Sequence, residues 1–144
     1  DELGDRKRSD VPIQVAEDSP MLDAMIQDAL NRPGYTNLTI KANGQEAWDV
    51  ICTLKKNNGL KYGVQLLITY IEMPLMDGHH LVKLVREDDE LKDLPIIIFS
   101  SLINEDMKRK GEHLGANAQV SKPEIGNLVH IIDQLVGYDA EKDV

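Results

Sequence analysis

The sequence is short of cysteine, of long apolar runs and of positive charge. Cys52 is the only cysteine among 144 residues, which excludes an intrachain disulfide and a cysteine-based zinc cluster. It lies within an apolar helical pattern and reads as an inert buried thiol. No apolar run approaches the roughly 20 residues that a membrane helix needs, so a cytoplasmic domain without membrane insertion is expected. The net charge of -9 argues against nucleic acid or anionic membrane as a partner, because neither phosphate backbone nor lipid headgroup attracts such a surface. The basic triplets Arg6-Lys7-Arg8 and Lys108-Arg109-Lys110 are too short to reverse that balance. No internal repeat is present, and the length suits one domain with a sizeable core. The chain opens on Asp1 rather than Met, as a piece of a longer protein would, so a leader on that protein stays open.

What is present is an alternation of strand and helix signals. Residues 1–11 are polar, without periodicity, and read as a linker or disordered N-terminal segment; 12–137 read as the folded domain and 138–144 as a charged tail. Ile13 to Ala16 makes a short strand closed by Glu17-Asp18, and Ser19-Pro20 caps and opens a helix with Leu22, Met25, Ile26, Ala29 and Leu30 on one face. Leu38 to Ile40 is a second strand, followed by a helix burying Ala47, Trp48, Ile51 and Leu54. Trp48 reads as packing rather than as a ligand. Val64 to Thr69 is a third strand, apolar almost throughout as in a parallel sheet covered on both faces. A Pro/Gly-punctuated loop leads to a helix from about Gly78 to Asp88, with Leu81, Leu84 and Val85 inward. Pro95 to Phe99 is a fourth strand with Ser100-Ser101 at its end, and the helix from Asn104 to His113 offers little apolar surface. Gln119 to Ser121 forms a fifth strand before Lys122-Pro123, and a last helix buries Leu128, Ile131, Ile132 and Leu135.

Five strands alternating with five helical segments imply an α/β, doubly wound, parallel sheet with helices on both faces. Ligands of such sheets bind at the carboxyl ends of the strands. There Glu17, Asp18, Tyr70, Ser100 and Lys122 are expected to converge. Adjacent carboxylates suit a hard divalent cation. A hydroxyl and an ammonium facing them suit phosphoryl oxygens. Taken singly, each has a plainer role: an acidic turn, a helix cap, a solvated lysine. Together they form a phosphate site without a nucleophile.

The acidic pair Glu17-Asp18, the loop Glu72-Met73-Pro74-Leu75-Met76-Asp77-Gly78, the hydroxyl Ser100 and the pair Lys122-Pro123 resemble a bacterial response-regulator receiver domain over about Pro12 to Val136. In detail Ala16-Glu17-Asp18-Ser19-Pro20, Gly78-His79-His80, Phe99 to Asn104 and Ser121 to Ile125 look most like the C-terminal receiver of CheV-type chemotaxis coupling proteins. The resemblance implies a flavodoxin-like sheet of strand order 2-1-3-4-5 and a signalling module rather than an enzyme. It implies partners as well: a chemotaxis histidine kinase, its signalling array and a CheW-like domain preceding the receiver in the full-length protein. A receiver takes a phosphoryl group onto an aspartate at the end of the third strand. Mg2+ would be held by Glu17, Asp18, that aspartate and the backbone carbonyl of Glu72, while Ser100 and Lys122 would read the phosphoryl oxygens.

The departure is Tyr70, which stands at the phosphoacceptor position where aspartate is expected. A neutral phenol is a poor magnesium ligand and cannot form an acyl phosphate, so magnesium is expected to bind weakly or not at all. Three readings compete for Tyr70: a natural pseudo-receiver, a change in an otherwise competent domain, or a ring folded back over the acidic pair with its hydroxyl on Asp18. Two rivals stand beside a defective receiver. One is a phosphate sink that uses another residue. The other is a small phosphohydrolase, disfavoured by the lack of a cap-sized insertion. His79-His80 reads as a solvated helix start, since adjacent helical side chains diverge by about 100°. Gln119 occupies the place where many receivers carry a switching aromatic ring.

Overall fold

The computed structural model describes residues 7–139, so most of the expected tail and the first six residues of the expected linker lie outside the described residues. Strands β1 (Ile13–Ala16), β2 (Leu38–Lys41), β3 (Leu66–Tyr70), β4 (Ile96–Ser100) and β5 (Ala118–Ser121) form one parallel sheet in the order β2-β1-β3-β4-β5. Helices α1 (Pro20–Asn31), α2 (Gly44–Lys56), α4 (Gly78–Glu87), α5 (Glu105–Leu114) and α6 (Leu128–Val136) are the crossovers and the closing helix. An unexpected short helix, α3 (Leu60–Gly63), and a 3-10 turn, Lys122–Asn127, complete the middle and end of the chain.

The period-2 alternation of the strands sorts their side chains between two cores. Ile13, Val15, Leu66, Ile68, Ile97 and Phe99 pack with Leu22, Ile26 and Leu30 of α1 and with Leu128 and Ile132 of α6. Ala16, Leu67, Ile96 and Ile98 face the other way, onto Ala47 and Ile51 of α2 and Leu81, Val82 and Val85 of α4. Both faces of the sheet are therefore dry, which is why its central strands are almost wholly apolar.

Three local expectations change. The third strand starts at Leu66, because Val64 terminates α3 by donating its N–H to Leu60 at 3.0 Å. The inward face of α4 includes Val82 and His79, so His79 is not a solvated helix start: only 8% of it is exposed. Its place in the first turn faces the polar flank of α5 rather than water, a tertiary effect that helical periodicity alone does not encode. Within the stretch expected as linker, Arg8–Asp10 form a 3-10 turn. Arg8 bonds Asp133 of α6 at 2.8 and 3.2 Å and lies 4.6 Å from the centre of the Tyr138 ring.

Strand register positions the site. Tyr70 of β3 pairs with Phe99, one residue before Ser100, and Ser100 pairs with Ser121, one residue before Lys122. The carboxyl ends thus advance across the sheet in single steps, from Glu17 after β1 to Lys122 after β5.

Candidate functional site at the carboxyl ends of the strands

The acidic corner is built by β1 running directly into α1. Ser19 caps α1, accepting from the N–H of Leu22 at 3.4 Å, with Pro20 at the first helical position, where no N–H is needed. This tight entry leaves Glu17 only 1% exposed while Asp18 faces solvent. Glu17 Oε1 accepts from the Ser19 N–H at 3.2 Å, whereas Oε2 is buried with no partner. Burial pushes the Glu17 carboxyl up to about 7, with the Ser19 hydrogen bond opposing and the charges of Asp18 and Asp23 adding.

Asp23, one turn into α1, is a member of this corner that sequence reasoning missed. Its Oδ1 is buried and unpartnered, and burial followed by the Asp18 charge raises it to about 6. The available signal was an acidic residue in the first helical turn directly after an acidic pair. Three carboxylates in one another's field, two with orphaned oxygens, form an environment that a cation relieves. Among the described residues, however, no three His, Cys, Asp or Glu side chains are placed to hold one ion together.

The loop beyond β3 is pinned from two sides. The Gly78 N–H donates to the Ile71 carbonyl at 2.8 Å, and a Cβ at Gly78 would lie 1.9 Å from the Tyr70 carbonyl oxygen. The Gly44 N–H donates to the Met76 carbonyl at 3.1 Å, tying the loop to the start of α2. Between these anchors Leu75 adopts φ 67°, a left-handed conformation costly for a branched side chain, and stands exposed.

Tyr70 ends β3 half-buried. Its hydroxyl sits 2.9 Å from Ser101 Oγ, on the β4 side. The fold-back onto Asp18 does not occur: the ring runs toward the loop after β4. Ser100 is buried and its Oγ donates to the Leu102 carbonyl at 2.6 Å. Tyr70, Glu72, Ser100, Ser101, Leu102 and Met107 are among the residues lining a polar cavity of about 350 Å3. Lys122, at the start of the 3-10 turn after β5, is exposed and makes no ion pair among the described residues. Ser121 anchors that turn, its Oγ donating to Glu124 Oε1 at 2.6 Å. The register therefore aligns Tyr70, Ser100 and Lys122 along one edge, but the Glu17 and Asp18 side chains do not line the cavity at Tyr70.

Gln119 serves as a tether where a switching ring was absent. Its Nε2 donates to the Lys108 carbonyl of α5 at 2.8 Å, and its side chain fills the space a Cβ on Gly111 would take. Gly111 is the only fully buried residue of α5, so this contact is a main attachment of a sparsely anchored helix.

An α/β sheet of this order, with acidic, hydroxyl and lysine groups among its strand ends, defines a doubly wound domain whose candidate site lies at the carboxyl ends of the strands. The family model for the response regulator receiver domain matches residues 13–133. The chain belongs to that family, whose members are generally signalling modules and typically bind Mg2+ at the phosphorylation site. It is 37% identical over 87 residues to a chemotaxis protein CheY homolog of Campylobacter jejuni, covering 60% of this chain and 62% of that protein. Against ycf29 of Porphyra purpurea, named as a probable transcriptional regulator, identity is 30% over 129 residues, or 89% of this chain and 57% of that one. The chain thus spans less than two thirds of these relatives. The receiver domain of the Francisella response regulator 1452 superposes with a TM-score of 0.74 at 24% identity, over 88% of this chain and 97% of that one.

Proposed function

We propose that this domain is a receiver that has lost phosphoryl acceptance, working as a chemotaxis coupling module of the CheV type. In this reading it follows a CheW-like domain and associates with a chemotaxis histidine kinase and its array. The observation that carries it is Tyr70: a phenol at the acceptor position, hydrogen-bonded to Ser101, between an acidic corner and a hydroxyl-lysine pair that are otherwise retained. Motifs Ala16 to Pro20, Phe99 to Asn104 and Ser121 to Ile125 support the CheV-type assignment.

In a receiver with an acceptor aspartate, a carboxylate oxygen attacks phosphorus, the bond from phosphorus to the donor breaks, and the donor leaves with its electron pair. Ser100 and Lys122 then bind the new oxygens, and the loop after β4 moves. Here Tyr70 offers no carboxylate, and its hydroxyl already engages that loop. The pair of bonds Tyr70 to Ser101 and Ser100 to Leu102 holds the β4–α5 segment in one arrangement without a phosphoryl group.

The orphaned Glu17 Oε2 fits a hard cation. Glu17, Asp18 and the Glu72 backbone carbonyl would hold Mg2+, which supplies charge neutralisation to phosphoryl oxygens when bound. With one anionic ligand missing, affinity is expected to be weak. Calorimetric titration with magnesium tests this: Tyr70→Asp is expected to bind at least about ten-fold tighter than the parent, the worth of one charge-assisted contact. Equal affinities would place the defect elsewhere than Tyr70.

A further inference from the structure

The chain holds two Asn-Gly pairs, Asn43-Gly44 before α2 and Asn58-Gly59 after it, and the fold treats them in opposite ways. In such a pair the glycine lacks a Cβ, so its backbone nitrogen approaches the asparagine side-chain carbonyl carbon with little hindrance.

The first pair is locked. Asn43 is 6% exposed and both ends of its amide are engaged: Oδ1 accepts from the Glu46 N–H at 2.8 Å and Nδ2 donates to Glu46 Oε2 at 2.8 Å. The Gly44 N–H donates to the Met76 carbonyl at 3.1 Å. A Cβ on Gly44 would lie 2.3 Å from the Met76 carbonyl oxygen, so close packing alone accounts for this glycine.

The second pair lies open at the end of α2. Asn58 is exposed and adopts φ 57°, one residue beyond the helix cap Asn57. Gly59 has φ -104°, and a Cβ there would meet Leu54 at 3.5 Å, an ordinary contact, so neither a left-handed turn nor a close approach requires glycine. One restraint holds the pair: the Gly59 N–H donates to the Leu54 carbonyl at 2.7 Å. Freeing that nitrogen takes only fraying of a helix end, whereas freeing Asn43 and Gly44 means detaching the start of α2 from the loop after β3.

We propose that Asn58 is a site of non-enzymatic modification, converted by water to aspartate and isoaspartate while Asn43 stays intact. The Gly59 nitrogen bonds to Asn58 Cγ, the bond from Cγ to Nδ2 breaks, and Nδ2 leaves as ammonia with the Gly59 amide proton. Water then opens the cyclic imide. Cleavage between the nitrogen and Cγ gives aspartate; cleavage between the nitrogen and the Asn58 backbone carbonyl carbon gives isoaspartate. Either product sets a carboxylate at the C-terminal end of α2, where the helix dipole disfavours it. Isoaspartate also lengthens the main chain by a methylene. That displaces Gly59, whose carbonyl accepts from the Tyr62 and Gly63 N–H groups at 3.1 and 2.9 Å, and so loosens α3. The reading of Tyr70 does not enter.

The test is incubation of the whole chain in warm, mildly alkaline buffer, with peptide mapping by mass spectrometry over time and a synthetic peptide of residues 55–61 alongside. The Asn58 peptide is expected to convert at least about ten-fold faster than the Asn43 peptide. Gly59→Ala, whose added Cβ fits, is expected to slow conversion at Asn58 by about ten-fold with an unchanged circular dichroism spectrum. The proposal is overturned if Asn43 converts as fast as Asn58, if Asn58 stays an amide in the chain while the synthetic peptide converts, or if Gly59→Ala converts at the parent's rate.

Discussion

Asp133 and Glu17 are carboxylates withdrawn from water at opposite ends of one sheet, and their surroundings are arranged in opposite ways. Arg8 precedes β1 and Tyr35 precedes β2, so the cluster around Asp133 lies at the amino ends of the strands. There both carboxylate oxygens accept from Arg8, and the hydroxyl of the fully buried Tyr35 bonds Oδ1. The Arg8 guanidinium also donates to the Pro33 carbonyl at 2.9 Å, and its charge is held upward by Asp133. Burial and the bond to Asp133 push the Tyr35 phenol up. At the carboxyl ends, Glu17 and Asp23 each keep a buried oxygen without a partner. Satisfied burial rigidifies a fold; unsatisfied burial of like charges is a cost that persists where a ligand is to be received.

The largest test of that contrast removes the satisfied carboxylate. Asp133→Ala leaves the Arg8 guanidinium and the buried Tyr35 hydroxyl without their partner, and about 3 kcal/mol of stability is expected to be lost in urea unfolding. A loss below about 1 kcal/mol would mean that the cluster is solvated and weak. The neutral replacement at the other end has the opposite sign. A glutamate raised to about 7 binds its proton more tightly folded than unfolded, so stability is fully present near pH 4 and falls as pH rises through 7. Glu17→Gln is expected to flatten that decline and to stabilise the domain at pH 8 by about 2 kcal/mol. Identical pH profiles for parent and variant would show that Glu17 is solvated. The smallest effect is local: Tyr70→Phe deletes the contact with Ser101, costs about 0.5–1 kcal/mol, and is expected to speed amide exchange across Leu102 to Met107. Unchanged exchange there would remove Tyr70 as a restraint on the loop.

The elements with strong local signals were readable from sequence. Ile13 to Ala16 is a short, mostly apolar run ended by two acids, and the Ser19-Pro20 start of α1 fits because one side-chain bond and one absent N–H suffice to begin a helix. The parallel, doubly wound sheet followed from alternation and handedness, and its strand order from the family resemblance. Contacts made between distant segments were not readable. Arg8 and Asp133 are 125 residues apart in the chain, and nothing near Arg8 announces its partner. The burial of His79 depends on how α5 packs, and Asp23 joins the acidic corner only because α1 starts so close to Glu17. The identity of residue 70 was legible at once; the direction of its ring, toward Ser101 and away from Asp18, was not.

The chemistry at residue 70 can be tested with one reagent. Incubation with acetyl phosphate and magnesium, followed by intact-mass measurement, is predicted to leave the parent unmodified and to add one hydroxylamine-labile phosphoryl group to Tyr70→Asp. A phosphoryl group on the parent, or none on Tyr70→Asp, would contradict the assignment of Tyr70 as the lost acceptor.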